Sequence, residues 1–226
     1  MISAQKLTRR YHGGENVVAL DDVSFEIWPK ERISIVGRSG SGKTTLLNLL
    51  AGLDTATSGE LNVAGHNVCQ MDRRAMAAYR LTTVGVIFQS FQLLPQRTAL
   101  QNVELPLIIA GVPTAERVKL SEQSLKSVGL SKRSGHFPWQ MSGGEQQRIA
   151  IARALVNAPP VLLADEPTGN LDSVTSDEIV ELMKQVCDDR NVTLVLVTHD
   201  DQLAASCCDR RLRMLDGRLM EEGAGS

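Results

Sequence analysis

Ile33–Leu53, ISIVGRSGSGKTTLLNLLAGL, is the stretch whose reading decides the fold. It opens on ISIVG, a short apolar run rich in isoleucine and valine, which suits a buried parallel strand. It closes on TTLLNLLAGL, which reads as a helix. Between them GRSGSGKT fits the pattern GxxxxGK[ST] at Gly37, Gly42, Lys43 and Thr44, in the strand-to-helix setting that pattern requires. The residue types follow from the chemistry. Glycines let backbone amides turn inward on phosphate oxygens, and the helix that follows presents its positive end to the same anion. Lys43 is placed to reach the β- and γ-phosphates of a nucleotide, and Thr44 to offer its hydroxyl to Mg²⁺. The expected phosphate cradle is therefore Gly37, Arg38, Ser39, Gly40, Ser41, Gly42, Lys43, Thr44 and Thr45.

Three further apolar runs also end where polar chemistry begins. VLLADE (Val161–Glu166) ends in two acids, TLVLVTHD (Thr193–Asp200) in a histidine and an aspartate, and VGVIFQ (Val84–Gln89) in a glutamine. Helical stretches lie between the runs. In SDEIVELMKQVCDD the apolar Ile179, Leu182, Met183 and Val186 keep helical spacing. Strands alternating with helices predict an α/β fold with a mostly parallel sheet, and the polar strand ends then share one edge. The middle, Phe91–Asn157, has no strand pattern, carries Pro95, Pro106, Pro113 and Pro138, and reads as a helical lobe inserted into the sheet domain.

At the sheet edge Asp165 is placed to hold Mg²⁺ through its water shell. Glu166, beside it, has the position of a base on an attacking water, which points to hydrolysis. Far from these, SGGEQQR (Ser142–Arg148) opens a second helix. Ser142 and Glu145 form a capping box, S-x-x-E, enough for a well-made helix start. The two intervening glycines weaken a helix, which suits a site where an anion comes close to open amides. One nucleotide needs one phosphate loop, and a lobe projecting from that loop puts this second anion site nearer another copy of the chain.

The totals exclude other classes. Net charge is -2 over 226 residues, with Lys+Arg 24 and Asp+Glu 26, so there is no basic footprint for nucleic acid or for an anionic membrane surface. No run reaches the roughly 18 apolar residues that span a bilayer, and the N-terminus lacks the apolar segment of a signal peptide. Cys69, Cys187, Cys207 and Cys208 form no CxxC pair and read as free thiols.

GRSGSGKTT, SGGEQQR, LLADEPTGNLD and VTHD, in this order, resemble the nucleotide-binding domain of ABC transporters, over essentially the whole chain. The resemblance implies a P-loop NTPase domain spanning 1–226, with an N-terminal antiparallel β part, a catalytic core over about 1–90 and 158–226 and a helical subdomain over about 91–157. It implies a homodimer that traps two ATP molecules head to tail, each between one copy's phosphate loop and the other's Ser142, Gly143 and Gly144. It implies roles for Tyr11 stacking on adenine, Gln89 contacting Mg²⁺, Asp172 crossing the dimer interface, and His199 meeting the γ-phosphate and the attacking water, alongside the catalytic Lys43 and Glu166. It also implies an integral membrane permease as partner on the cytoplasmic side of the inner membrane. No transported substrate is then bound by the chain itself. QSFQLLPQRTALQNVELPL and ADEPTGNLDS look like the branch of bacterial lipoprotein-release, macrolide-export and cell-division ATPases. The rival readings are a soluble ABC-type ATPase acting on nucleic acid or ribosomes, which would carry coiled coils or basic segments, and a P-loop kinase, which would not need SGGEQQR.

Overall fold

The computed structural model describes residues 1–13 and 15–221. Two long strands come first, β1 (Ile2–Gly13) and β2 (Glu15–Ile27), paired antiparallel with Ile2 opposite Ile27. β3 (Arg32–Val36) and α1 (Lys43–Leu50) are the strand and helix expected on either side of the phosphate loop. β4 (Ser58–Val63) and β5 (His66–Asn67) return to the first two strands and complete an antiparallel sheet of order β2-β1-β4-β5. α2 (Arg73–Thr82) starts at Asp72, whose carboxylate accepts the Ala75 N–H, and leads into β6 (Val84–Ile87). Three helices follow, α3 (Ala99–Ile109), α4 (Thr114–Ser127) and α5 (Gly143–Leu155). The chain then runs through β7 (Val161–Asp165), α6 (Ser173–Arg190), β8 (Thr193–Thr198), α7 (Asp201–Cys207), β9 (Arg210–Leu215) and β10 (Arg218–Glu221).

The second sheet has the order β10-β9-β3-β8-β7-β6. Its strands pair in parallel except β10, which pairs antiparallel with β9. Every residue of β8 is buried, as the unbroken apolar run requires of a strand covered on both faces. Its side chains alternate between two cores. Val195 and Val197 join Ile33, Ile35, Leu46 and Leu61 beneath the antiparallel sheet and α1. Leu194 and Leu196 join Leu162, Ala164 and the apolar stripe of α6, Ile179, Leu182, Met183 and Val186. Each such side chain stabilises by about 1.5–3 kcal/mol over an exposed one, so the central strand is fixed by both layers at once.

Among the described residues no strand lies between Ile87 and Val161, so the middle of the chain is helical as its sequence predicts. The lobe is not cored separately. Val103, Leu107 and Leu125 belong to the same cluster as Leu162 and Ala164, joined through Ile149, Ile151 and Leu155 of α5. The loop from β6 to α3 is pinned by the fully buried Asn102. Its Nδ2 donates to the carbonyls of Leu94, Arg97 and Thr98, and its Oδ1 accepts the Leu94 N–H. The four cysteines are free thiols.

Candidate functional site

The carboxyl ends of β3, β7 and β8 open on one cavity of about 910 Å³. Of the expected cradle, Gly37, Arg38, Ser39, Gly40, Gly42, Lys43, Thr44 and Thr45 line it. Ser41 does not. It is buried, its amide donates to the Arg38 carbonyl at 3.2 Å, and its hydroxyl has no partner, so its side chain packs beneath the loop. The loop is wound at Gly42, where φ is 106° and a Cβ would come within 2.4 Å of the Ala19 carbonyl; only glycine fits both demands. Lys43 is buried and its Nζ donates to the carbonyls of Gly37 at 2.7 Å and Arg38 at 2.9 Å. The ammonium thus sits inside the curl of the loop, where a phosphate oxygen would meet it.

Gln89, Asp165, Glu166 and His199 line the same cavity. Asp165 is half-buried and its carboxyl is pushed above the usual carboxylate range by burial and by the adjacent Glu166, partly offset by Lys43 and by a hydrogen bond from Thr44. A hydroxyl, a carboxylate and the Gln89 amide are hard oxygen donors. They suit Mg²⁺, which takes few protein ligands and fills its shell with phosphate and water. Among the described residues no cluster of three or more His, Cys, Asp or Glu side chains could hold a metal ion.

Glu166 is held on both carboxylate oxygens. Oε1 lies 2.7 Å from His199 Nδ1, and Oε2 accepts the Thr198 hydroxyl at 3.1 Å. Its backbone has φ of 46°, a left-handed conformation costing of order 1–3 kcal/mol in a non-glycine residue. The Glu166 amide donates to the Val197 carbonyl at 2.9 Å, which ties this turn to β8. The arrangement aims a carboxylate and an imidazole into one water-accessible space.

Ser142, Gly143, Gly144 and Asp172 also lie apart from the cavity lining. Ser142 and Glu145 form the predicted capping box: the Ser142 hydroxyl accepts the Glu145 N–H at 3.2 Å, and the Ser142 N–H donates to Glu145 Oε2 at 3.0 Å. Gly143 and Gly144 follow in the first turn of α5, where amides have no intrahelical acceptor. Gly144 has a reason inside the chain that its sequence did not reveal. A Cβ there would stand 2.5 Å from Thr175 Cγ2, so the glycine lets α5 and α6 close on each other. Asp172 caps α6. Its carboxylate accepts the backbone N–H of Thr175 at 3.0 Å and the Thr175 hydroxyl at 2.7 Å, and these bonds hold the carboxyl below its usual range.

Tyr11, expected at the adenine, is on β1 opposite Val17 and outside the cavity lining. Its hydroxyl donates to Asp54 at 2.7 Å, and the Arg9 guanidinium lies 4.4 Å from its ring centre. The cavity wall nearest it is instead Val17, Val18 and Ala19 of β2, with the two valines 53% and 43% exposed, and Asp201 and Arg213 complete the rim. None of these five was picked out from the sequence.

The sequence profile of the ABC transporter family matches residues 20–169. The chain is 46% identical to the uncharacterized ABC transporter ATP-binding protein YbbA of Escherichia coli, over 98% of this chain and 97% of that protein. It is 45% identical to the lipoprotein-releasing system ATP-binding protein LolD of Geobacter metallireducens, over 98% and 99%. It is 46% identical to the macrolide export ATP-binding/permease protein MacB of Rhodopirellula baltica, over 98% of this chain but 33% of that longer protein. Its fold superposes on the MJ0796 bacterial ABC transporter cassette with a TM-score of 0.90, 40% identity and full coverage of both chains; that cassette is solved as a dimer and as a dimer in a post-hydrolysis state with ADP and Pi. The chain belongs to the ABC transporter family, as its ATP-hydrolysing cassette.

Proposed function

We propose that two copies of this chain close head to tail on two ATP molecules and drive a membrane permease of the lipoprotein-release or macrolide-export type from the cytoplasmic side of the inner membrane. The observation that carries the reading is the division of labour within one chain. Phosphate loop, Glu166 and His199 converge on one cavity, while Ser142, Gly143 and Gly144, at the N-terminal end of α5, stand outside its lining. Each triphosphate then lies between one copy's loop and the other copy's α5. The MJ0796 cassette, similar over its whole length, is solved as a dimer, which supports a dimer of this chain.

In this reading Lys43 exchanges its two loop carbonyls for the β- and γ-phosphate oxygens. The adenine lies at the Val17–Val18 wall beside Tyr11. Thr44, Gln89 and Asp165 would hold Mg²⁺, which would supply charge neutralisation along the phosphates. Glu166 takes a proton from water as the water oxygen bonds to the γ-phosphorus, and ADP leaves. His199, fixed through Nδ1 by Glu166, turns its other ring nitrogen to the γ-phosphate, and Asp172 meets the partner copy.

Among the described residues no helix is long and apolar enough to cross a membrane, so the membrane-spanning part of such a machine belongs to another chain in this reading. Exposed apolar side chains on the lobe are the contacts this reading assigns to it. Leu94, Ile108, Ile109 and Trp139 are exposed, Ile109 and Trp139 by 74% and 73%, and Trp139 stacks on Phe137. Names of relatives support the branch: a lipoprotein-releasing system and a macrolide exporter. Tagged Glu166→Gln, extracted from native membranes in mild detergent with ATP and Mg²⁺, is expected to bring down an integral membrane protein with a large extracytoplasmic domain. Adding Trp139→Asp is expected to lose that protein while ATP binding stays intact. Recovery of ribosomes or DNA instead would overturn the transport reading and leave the ATP chemistry standing.

A further inference from the structure

Arg153 lies in the last turn of α5, the helix that begins with Ser142, Gly143 and Gly144. Its side chain forks. One amino group donates to the Gln92 carbonyl at 2.6 Å, the other to the Phe91 carbonyl at 2.8 Å. Phe91 and Gln92 are successive non-glycine residues with φ of 56° and 49°, both left-handed. Such a pair costs of order 1–3 kcal/mol per residue and persists only where surrounding contacts impose it. Two residues upstream of this turn is Gln89, whose side chain lines the nucleotide cavity. Gln89 is held from the other flank as well. The Asn170 amide donates to its carbonyl at 2.8 Å, and Gly169 lies so close that a Cβ would be 2.8 Å from Gln89 Nε2. Phe91 also lies near the start of α5, its ring 3.9 Å from the place a Cβ on Gly143 would take.

We propose that Arg153 is a positioning residue for Gln89: by gripping the two strained carbonyls, it fixes the segment that carries Gln89 to the helix that presents Ser142–Gly144. The end of α5 facing the partner's nucleotide and the glutamine facing the chain's own nucleotide then move as one body. A guanidinium suits the task because its planar fork reaches two carbonyls at once and keeps its charge although burial pulls its pKa down. A residue that merely stapled the lobe would need no strained turn at its far end. The inference rests on the reading of Gln89 as a contact to Mg²⁺.

Steady-state ATP hydrolysis by the purified chain, titrated with ATP and separately with Mg²⁺, tests it in four proteins: wild type, Arg153→Met, Gln89→Ala and the double variant. Arg153→Met is expected to keep KM for ATP within about twofold, to lower kcat about tenfold, and to raise the Mg²⁺ concentration for half-maximal rate about tenfold. Gln89→Ala is expected to do the same, and Arg153→Met to add nothing on top of it. An equal further loss in the Gln89→Ala background, or a wild-type kcat for Arg153→Met, overturns the positioning role. A Gln89→Ala variant with wild-type kcat overturns the reading of Gln89 itself, and the proposal with it. Should Arg153→Met fail to fold, Arg153→Lys keeps charge and stem without the fork. It is expected to show the same loss and the same lack of additivity, and full activity in that variant overturns the clamp.

Discussion

At the scale of single residues, Asp165 and Glu166 are neighbours in sequence with opposite settings. Glu166 is satisfied at both oxygens by Thr198 and His199. Asp165 is half-buried beside that second carboxylate, and its proton is favoured in the nucleotide-free fold. A carboxyl whose folded pKa is raised costs nothing at a pH below its unfolded value, where both states are protonated. Its penalty grows as pH rises through the folded value and is complete above it. Asp165→Asn is therefore expected to raise the melting temperature of the nucleotide-free chain at neutral pH, with the gain vanishing below about pH 4. A variant no more stable than wild type at neutral pH would show that Thr44 and Lys43 already neutralise the site. Both acids, the phosphate loop and His199 were legible because each sits at a strand end, where the apolar run marks the strand and the first polar residue marks the edge. Val17, Val18 and Arg213 were not. They reach the cavity from β2 and β9, and nothing local to those strands records which loop faces them.

At the scale of elements, α5 joins the most constraints. Its start is a capping box legible from four residues, since capping depends only on near neighbours in the chain. Gly144 was read as an opening for an anion, and the structure adds the Thr175 methyl 2.5 Å from the place of its Cβ. Contact between helices so far apart in sequence leaves no local pattern. Gly144→Ala is expected to destabilise the chain by about 1–3 kcal/mol, the usual range for overpacking. Thr175→Ser removes the offending methyl and keeps the hydroxyl that bonds Asp172, so it should recover most of the loss in a denaturant melt of the double variant. Equal stability of Gly144→Ala and wild type would mean that α5 and α6 separate at no cost. The alternation of β8 between two cores belongs to this scale as well. The sequence shows an apolar run, but the assignment of Val195 to one layer and Leu196 to the other needs the antiparallel sheet and the helices in place.

At the scale of the whole molecule, the parallel sheet gathers four polar strand ends on one edge, and the inserted lobe carries a second anion-ready helix start away from them. The α/β class and the helical middle were legible, because strand runs alternate with helical stretches at both ends of the chain and are missing from its proline-bearing middle. The sharing of one core by lobe and sheet was not, since it depends on how α5 crosses from one to the other. The central claim is that each copy's Ser142 segment completes the other copy's nucleotide site. The measurement that tests it most directly is the mass in solution of Glu166→Gln, with and without ATP and Mg²⁺, compared with the same chain carrying Ser142→Arg. Glu166→Gln is expected to double its mass only with ATP, and the Ser142→Arg form to bind ATP yet remain a monomer. A Glu166→Gln chain that stays monomeric at high concentration with ATP, or a Ser142→Arg form that dimerises as well, would contradict the account.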